Sequence, residues 1–314
     1  NAWKGGLVMS LNQVELEIEN LQKELMECSN NRKIEIEKEI KELEKSYKHL
    51  SPYDHVYLAR KKTRPNVKDY IHHLFDDFIE FHGDRLYKDD GSIVGGIGML
   101  DKQPVTIIGH LKGRTLEDNL KCNFGMSSPE GYRKALRLMK QAEKFNRPII
   151  CFVDTPGAYC GVGAEERGQG QAIAQNLMEM SRLKTPIISI ITGEGGSGGA
   201  LGLSVSDKVY MLKNSIYSIL SPEGFATILW KDSSRTKEAA EVMKITALDL
   251  LSLGIIDNII DEPIEGAHTN PSLVSENIKR LINSDLNNLI DIKKQDLLQK
   301  RYNKFRKMGN FYEV

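Results

Sequence analysis

Residues 193–202 read GEGGSGGALG and hold six glycines in ten positions. The segment directly follows TPIISIIT at residues 185–192, a β-branched run that indicates a buried strand. A strand, a glycine turn and a small-residue helix in this order are typical of α/β layers. Because glycine lacks a Cβ atom, so many glycines indicate either a functional turn or a very close packing contact.

The glycine segment fits more than one active-site pattern. Gly193, Gly195 and Gly198 match the G-x-G-x-x-G pattern of dinucleotide sites. That pattern requires an acidic residue at the end of the following strand, where it holds the ribose. The next predicted strand, KVYMLKN, ends in lysine and asparagine instead. The sequence therefore disfavours a dinucleotide site.

A second pattern, G-x-S-x-G, is centred on Ser197 and is typical of a nucleophilic serine at a strand-to-helix turn. Asp207, Asp257 and His268 follow in the order that such hydrolases use. Aspartate and histidine are common enough that some downstream pair is expected by chance. The pattern alone leaves a serine hydrolase open as an alternative function.

A third interpretation uses main-chain groups. Gly198 and Gly199 precede a small-residue helix start, where free N–H groups and the helix dipole favour negative charge. Two such N–H groups form an oxyanion hole, which suits a reaction through an enolate or a tetrahedral oxyanion. The structural alternative is a tight turn that lets the strand and the helix pack closely.

Composition excludes several classes of protein. The 314 residues are 40% hydrophobic and 27% charged, an ordinary globular mixture that is long enough to bury a core. Lys and Arg number 43, as do Asp and Glu, so no overall field favours nucleic acid or an anionic membrane. The apolar runs are too short to span a bilayer, and the N-terminal residues lack a signal-peptide pattern. We therefore expect a cytoplasmic protein.

The cysteines and histidines do not form a metal-binding pattern. The four cysteines are Cys28, Cys122, Cys151 and Cys160, and no pair has C-x-x-C spacing. The histidines show no H-x-x-x-H spacing either. We expect free thiols and no metal site on this chain.

Residues 11–50 are predicted to form a helical hairpin. Apolar residues recur every three or four positions on both sides of the polar segment CSNN: Leu11, Val14, Ile18, Leu21 and Leu25, then Ile36, Ile40, Leu43, Tyr47 and Leu50. This spacing gives each helix a narrow apolar seam. We expect a structural arm that packs on its own core or on a partner.

Strands and helices alternate from about residue 65 to residue 265. SIVGGIGML and QPVTIIGHL predict two strands joined by a turn at residues 101–102. Ser128, Pro129 and Glu130 are an N-cap, a first-turn proline and a first-turn acid, and they predict a helix that runs through Phe145. RPIICFVDTPGA predicts a buried strand that ends in a turn.

The remaining segments continue the alternation. AEERGQGQAIAQNLMEMSRL predicts one helix, weakened by Gly168 and Gly170. GGALGLSVS predicts a helix, and KVYMLKN and SIYSILS predict strands. The charged tail at about residues 271–310 predicts a capping helix with a solvated face.

Longer motifs point to one family. DTPGAY with GAEERGQ, then GEGGSGGALG and SPEGFATILWKD, follow GGIG and NFGMSSPEGYRKALRLMKQAEKF. From the helical arm to about residue 268, the chain resembles the α subunits of bacterial acetyl-coenzyme A carboxylase carboxyltransferases. The resemblance implies an α/β fold of the crotonase-like type, a spiral of stacked ββα units. The expected domains are a helical arm (1–60), the carboxyltransferase domain (61–268) and C-terminal helices (269–314).

The resemblance also implies a reaction and partners. The family moves a carboxyl group from carboxybiotin, on a separate biotin carboxyl carrier protein, to acetyl-coenzyme A, giving malonyl-coenzyme A for fatty-acid synthesis. The implied assembly has two α and two β chains and works with biotin carboxylase. The resemblance implies that zinc lies on the β partner.

Roles for the glycine segment follow from the same resemblance. Gly198 and Gly199 are expected to donate their N–H groups to the urea oxygen of biotin, and Glu194 to polarise the biotin side. Five more residues are expected to shape the biotin pocket: Pro156, Gly157, Ala158, Gly195 and Gly196.

A few further residues carry separate hypotheses. Lys112 and Arg114 flank a glycine after a strand, a pattern that suits either a phosphate, such as one of coenzyme A, or a solvated turn. Glu223, in a Ser-Pro-Glu helix start, is expected either to close the pocket or to belong to a helix cap, and the helix-start pattern favours the cap. Cys160 stands where the family usually has proline, and we expect a buried, unreactive thiol.

Overall fold

The computed structural model describes residues 3–4, 7–27 and 29–309. The helices are α1 Leu11–Glu27, α2 Asn30–Glu44, α3 Pro52–Ala59, α4 Val67–Leu74, α5 Leu116–Lys121, α6 Pro129–Lys144, α7 Val162–Glu166, α8 Gln169–Arg182, α9 Ser197–Leu201, α10 Pro222–Phe225, α11 Thr236–Val242, α12 Ala247–Ser252, α13 Pro271–Ile290 and α14 Lys294–Arg306. The strands are β1 Trp3–Lys4, β2 Leu7–Val8, β3 Asp76–Glu80, β4 Ile93–Leu100, β5 Gln103–His110, β6 Ile149–Thr155, β7 Ile187–Gly196, β8 Lys208–Leu212, β9 Ile216–Ser218 and β10 Asn258–Ile260. A π-helical turn spans Ala226–Trp230, and shorter 3₁₀ turns lie at Lys45–Lys48, Asn123–Gly125, Ser233–Arg235 and Ala267–Thr269.

Within the described residues, an eight-stranded mixed sheet organises the fold. Its order is β10-β8-β7-β6-β5-β4-β3, with β9 paired to the end of β7. Strands β3, β4 and β5 are antiparallel neighbours, whereas β5, β6, β7, β8 and β10 run parallel. The carboxyl ends of the parallel strands therefore share one edge, which is where α/β sheets commonly bind ligands.

Both faces of the sheet are covered, as the continuous apolar strands predict. In β6, Ile150 and Phe152 face a core that includes residues of α4 and α13. Ile149, Cys151 and Val153 alternate with them and face a core built by α6 and α8. The period of two along β6 therefore assigns one apolar set to each layer.

The predicted helical hairpin is confirmed. Helices α1 and α2 pack through Leu21, Ile36 and Ile40, with their apolar seams facing each other. The base of the arm joins the main body through a second cluster, in which Leu11 and Tyr47 contact Leu58 of α3. The arm therefore rests on its own chain at its base.

Several predicted elements have different bounds. The single helix expected at residues 164–183 is two helices, α7 and α8, because Gly168 adopts a left-handed conformation with φ of 81° and interrupts the helix. Helix α9 ends at Leu201, so the expected helix GGALGLSVS is shorter than predicted. Strand β3 was not predicted, since its residues are mostly polar and only half covered.

The tail is helical and most of its charged residues are solvated, as predicted, but it is not one capping helix. Two helices, α13 and α14, form it, and Arg301 of α14 is only 1% exposed. Its guanidinium donates to both carboxylate oxygens of Asp207, at 2.8 and 2.7 Å. It also donates to the main-chain oxygens of Met180, Leu183 and Thr185. This arginine fastens α14 to the sheet and to the end of α8.

Replacing Arg301 with alanine is expected to lower the free energy of unfolding by about 3–5 kcal/mol, because Asp207 is then left as a buried, unpaired charge. The exposed neighbour Lys300, replaced with alanine, is the matched control and is expected to have little effect. Urea unfolding monitored by circular dichroism measures both variants. Equal effects of the two substitutions would contradict the anchoring role of Arg301.

Candidate functional site

Two turns meet at the carboxyl edge of the sheet. Strands β6 and β7 are parallel neighbours, and Thr155 lies opposite Gly195 in their register. The chain leaves β6 through residues 156–158 and leaves β7 directly into α9. This pairing brings the predicted pocket residues of the first turn next to residues 194–199.

The closest approach between the turns is made by two glycines. A Cβ atom on Gly196 would lie 2.1 Å from the carbonyl oxygen of Pro156, and one on Gly199 would lie 2.6 Å from the nitrogen of Ala158. Neither position has room for a side chain. The absent Cβ atoms of these two glycines serve the contact between the two turns, whereas the packing alternative raised by the sequence was a close contact of the strand with the helix.

Two other glycines of the turns, Gly157 and Gly198, have no tight contact. A Cβ atom on Gly198 would meet only Ile173, at 3.6 Å, and one on Gly157 would meet nothing within 4 Å. Gly157 also has a φ of 152°, a conformation that favours glycine. Gly198 and Gly199 occupy the first turn of α9, whose N–H groups have no acceptor in the preceding turn of a helix. Among the described residues, no turn, loop or side-chain hydrogen bond engages these two N–H groups.

Ser197 has the backbone conformation of a nucleophile elbow, but within the described residues it lacks the hydrogen-bonded histidine of a catalytic triad. Its φ of 53° is unusual for serine, as the G-x-S-x-G pattern predicts. Asp207 uses both carboxylate oxygens on Arg301. No hydrogen bond joins Ser197 to His268, or to another histidine in the described ranges.

The remaining partners of the alternative patterns are also engaged elsewhere. Asp257 forms an ion pair with Lys304 of α14 and accepts a hydrogen bond from the N–H of Val209. Gly193 and Gly195 lie inside strand β7, whereas a dinucleotide fingerprint requires them in the turn after a strand. The site geometry therefore supports neither a catalytic triad nor a dinucleotide site.

A row of alternating charges lies beside the glycine turn. The carboxylate of Glu194 accepts from Nε of Arg60 at 2.6 Å and from Nζ of Lys112 at 2.7 Å. Lys112 also contacts Asp154 at 2.7 Å. Arg60 reaches Glu223 of α10 with its other two nitrogens, at 2.8 and 3.2 Å. The row links the end of α3, strands β6 and β7, and the short helix α10.

Glu194 is held in its charged form by this row. Burial alone would raise its pKa, but the charges and hydrogen bonds of Lys112 and Arg60 outweigh burial and lower the pKa to about 2. Burial also disfavours the charge on Lys112, yet Asp154 and Glu194 together raise its pKa above the ordinary value. Both groups are therefore ionised at neutral pH, and Glu194 is present as a carboxylate.

Three cavities surround the two turns. A cavity of about 350 Å³ lies between the end of α3 and the segment after β5, and Arg60, Lys112, Pro156 and Glu194 all line it. A small cleft of about 40 Å³ lies at Gly195 and Gly196 and shares Arg60, Pro156 and Glu194 with the first cavity. A mainly apolar groove of about 540 Å³ begins at Ser197.

Comparison with known proteins identifies the family. The family model described as acetyl co-enzyme A carboxylase carboxyltransferase-like matches residues 9–309. The α subunit of acetyl-coenzyme A carboxylase carboxyl transferase from Clostridium botulinum (strain Alaska E43 / Type E3) is 62% identical over 269 residues, which are 86% of this chain and 98% of that protein. The chain belongs to this carboxyltransferase α-subunit family.

One relative carries both subunits in a single chain. The protein of Natranaerobius thermophilus named acetyl-coenzyme A carboxylase carboxyl transferase subunits beta/alpha is 61% identical over 276 residues. The match covers 88% of this chain and 46% of that longer protein. The present chain therefore corresponds to about half of the fused relative.

Solved structures show the same fold at low identity. The transcarboxylase 12S structure superposes with a TM-score of 0.57 and 19% identity, over 72% of this chain and 42% of that chain. A Pseudomonas malonate decarboxylase hetero-tetramer in complex with coenzyme A gives a TM-score of 0.57 and 18% identity, over 69% and 88%. The predicted crotonase-like α/β fold is confirmed, and the family is not one of serine hydrolases.

Within this carboxyltransferase-family chain, the two cations proposed to bind phosphate differ in their surroundings. Lys112 is half-buried, and its ammonium lies against the carboxylates of Asp154 and Glu194. Arg114 is more exposed and pairs with Asp69 at 2.6 Å. Because two carboxylates already neutralise Lys112, Arg114 is the more available cation for an added anion.

Cys160 is not buried, contrary to our expectation. It lies exposed in the loop between β6 and α7, whereas Cys122 and Cys151 are buried free thiols. Burial raises the pKa of Cys151 to about 12. Cys28 lies outside the described residues.

Within the described residues, the structure contains neither a group of metal ligands nor a membrane-spanning helix. No three His, Cys, Asp or Glu side chains in these ranges are grouped so that they would hold a metal ion. None of the described helices combines the length and apolarity needed to cross a bilayer.

Sequence reasoning missed Arg60. The predicted boundary placed this residue at the last position of a helical arm that was assigned no chemistry, yet its guanidinium contacts Glu194 and Glu223 in the site. The one available signal was the run ARKKTR at residues 59–64. Its basic residues have no acidic residue three or four positions away, so they form no ion pairs along a helix face. Glu223 lies in the first turn of α10, and Ser221 caps that helix, as predicted.

Replacing Gly199 with alanine is expected to lower the free energy of unfolding by about 1–3 kcal/mol, because the methyl group meets the nitrogen of Ala158 at 2.6 Å. Gly198→Ala is the matched control and is expected to be neutral, since Ile173 is then at an ordinary contact distance. Thermal unfolding of both variants measures the difference. A Gly199→Ala variant as stable as Gly198→Ala would contradict the packing role.

Replacing Glu194 with glutamine is expected to lower the free energy of unfolding at pH 7 by about 3 kcal/mol, since Arg60 and Lys112 lose their shared partner. The folded-state pKa of about 2 lies below the ordinary 4.5. The stabilising contribution of Glu194 is therefore complete above pH 4.5 and is lost as the pH falls towards about 2. Urea unfolding should show a smaller difference between wild type and variant near pH 3 than at pH 7.

Glu238→Gln, at an exposed pair with Arg235, is the control for this pH dependence and should change little. A Glu194→Gln effect of the same size at both pH values would show that Glu194 is not held ionised by its neighbours.

Proposed function

We propose that this chain is the α half of a cytoplasmic carboxyltransferase that forms malonyl-coenzyme A. Carboxybiotin supplies the carboxyl group, and acetyl-coenzyme A accepts it. The proposal rests on family membership over residues 9–309 and on the free N–H groups at the start of α9. The second of these is the observation that best supports a chemical role for this chain.

The N–H groups of Gly198 and Gly199 are the proposed donors. Negative charge develops on the urea oxygen of biotin as the carboxyl group leaves, and paired main-chain donors stabilise such charge without reorganising. Helix α9 is short, so its first turn is fixed mainly by the contact of Gly199 with residues 157–158. The packing contact and the oxyanion hole are thus compatible, because the packing contact holds the turn that carries the N–H donors of the oxyanion hole.

The surroundings of α9 suit a largely apolar bicyclic cosubstrate. The groove that begins at Ser197 is lined mainly by apolar side chains, including Leu201, Phe225 and Leu250. Gly195 and Gly196 border the small cleft on the other side, together with Pro156. A Cβ atom on Gly157 would have no neighbour within 4 Å and one on Gly198 would meet only Ile173, so few side chains crowd these two glycines.

Glu194 has a supporting part in this proposal. As a permanent carboxylate between Arg60 and Lys112, it fixes the strand that leads into the glycine turn. Its carboxylate keeps its charge at neutral pH, because Lys112 and Arg60 lower its pKa to about 2.

The proposal includes partners that this chain needs. The fused relative named beta/alpha supports a β subunit as the direct partner. We further propose two α and two β chains, zinc on the β chain, a biotin carboxyl carrier protein and biotin carboxylase. Arg114, aided by Lys112, is proposed to bind a phosphate group of coenzyme A.

Exchanging the main-chain amide of Gly198 or Gly199 for an ester, by incorporating glycolic acid, removes one N–H group and preserves the shape. We expect each exchange to lower kcat about 10²–10³-fold, the usual loss for one oxyanion-hole donor. The measurement is malonyl-coenzyme A formation by the reconstituted α and β subunits, with carboxylated carrier and acetyl-coenzyme A as substrates.

Two controls accompany this experiment. Gly170 occupies the second position of α8, as Gly198 does in α9, so an ester at Gly170 tests the chemistry of the exchange itself. Ser197→Gly removes the hydroxyl without opposing the positive φ, and it should retain transfer. Full activity of both site esters, or a large loss in Ser197→Gly, would exclude the backbone-donor mechanism.

A further inference from the structure

The guanidinium of Arg60 joins two parts of the site that are far apart in sequence. Its Nε donates to Glu194 at 2.6 Å, and its two terminal nitrogens donate to Glu223 at 2.8 and 3.2 Å. Each of the three guanidinium nitrogens therefore donates one hydrogen bond to a carboxylate. Glu194 precedes the glycine turn, whereas Glu223 belongs to α10, so Arg60 ties the turn to that helix.

A rigid element presents this side chain. Arg60 caps the carboxyl end of α3, which begins with Pro52 and a capping box between Ser51 and Asp54. On one side of the helix, Val56 and Ala59 pack against Ile216 and its neighbours. On another, Leu58 packs against the base of the arm. The position of the guanidinium is thus set by buried contacts on both sides of α3.

Arg60 also separates two of the cavities. It lines the cavity of about 350 Å³ and the cleft of about 40 Å³ at Gly195 and Gly196. Pro156 and Glu194 are the other residues common to both spaces. Truncating the arginine side chain would join the two spaces beside the glycine turn and would release α10 from β7.

We propose that Arg60 is a positioning residue for carboxyl transfer, which holds Glu194 and Glu223 together and so fixes the glycine turn on its biotin side. The inference rests on the proposed function. Arg60 acts in this account through the two carboxylates that its three nitrogens bind, and it touches neither substrate. Its effect is on the geometry of the turn, and a misplacement of about 1 Å in such a site lowers rates about a hundredfold.

The position of Arg60 between Glu194 and Glu223 predicts for which substrate the kinetic constants change when Arg60 is replaced. The cleft that Arg60 borders is the one at the glycine turn, where the urea oxygen of biotin is proposed to bind. Arg114 and Asn119, in the segment after β5, line the larger cavity but not this cleft. Loss of the bridge should therefore change the use of carboxybiotin more than the use of acetyl-coenzyme A.

Arg60→Ala, in the reconstituted complex with the β subunit, is expected to lower kcat about tenfold to a hundredfold. The KM for the biotinylated carrier should rise, while the KM for acetyl-coenzyme A should stay within about twofold. Arg60→Lys, which retains one charged contact but not the fork, should lie between wild type and alanine. Millimolar guanidinium chloride should partly restore the Arg60→Ala rate by refilling the vacated position.

Arg32→Ala is the matched control. Arg32 also bridges several carboxylates, those of Glu24, Glu35 and Glu39, but it does so on the exposed arm. Its loss should leave kcat and both KM values unchanged. If Arg60→Ala does not fold, Glu223→Gln removes the charge of one partner only and should show the same rise in carrier KM on a smaller scale.

The outcomes separate this inference from the proposed function. A wild-type complex that forms no malonyl-coenzyme A would remove the proposed function itself. An active wild type with Arg60 variants that resemble Arg32→Ala would overturn only the role of Arg60. Equal changes in both KM values, without rescue by guanidinium, would reduce Arg60 to a structural residue and also overturn the inference.

Discussion

The parallel strands β6 and β7 end at the same edge of the sheet, and the two turns that follow them pack together without intervening side chains. Gly196 and Gly199 allow this contact, since a Cβ atom at either position would overlap the backbone of residues 156–158. A helix as short as α9 contributes little stability of its own. The direction in which its first N–H groups point is therefore fixed by the contact between the turns.

The charged row beside the turns has a different physical origin. Glu194, Lys112 and Asp154 are largely removed from water, and each carboxylate or ammonium has an opposite charge within hydrogen-bonding distance. Isolated charges at such depth would be strongly destabilising, whereas an alternating row with good geometry is tolerated. The ion pairs of the row connect particular atoms at the ends of α3, β6, β7 and α10. They therefore set the relative positions of these elements more specifically than apolar packing does. Apolar contacts of α3 then hold the row against the sheet.

Local sequence signals were sufficient for the regular elements of the core. The run IICFVDT predicted β6, and SPE predicted the start of α6, because burial and helix capping act over a few neighbouring residues. The signals failed where a contact distant in sequence changes the outcome. Gly168 interrupts a predicted helix by adopting a positive φ, and Arg301 is buried in a segment whose composition predicts exposure. The exposure of Cys160 likewise depends on the path of its loop.

The sequence by itself determined the family, the α/β character and the glycine segment, since these depend on motif order and on local periodicity. Only the tertiary structure decided what each glycine does. It assigned Gly196 and Gly199 to a backbone contact, left Gly157 and Gly198 without a tight contact, and brought Arg60 at the end of α3 to Glu194. The physical reason is that a Cβ clash and an ion pair are properties of atoms brought together by folding, 134 positions apart for Arg60 and Glu194. No local sequence pattern predicts a contact between residues that are so far apart in the chain.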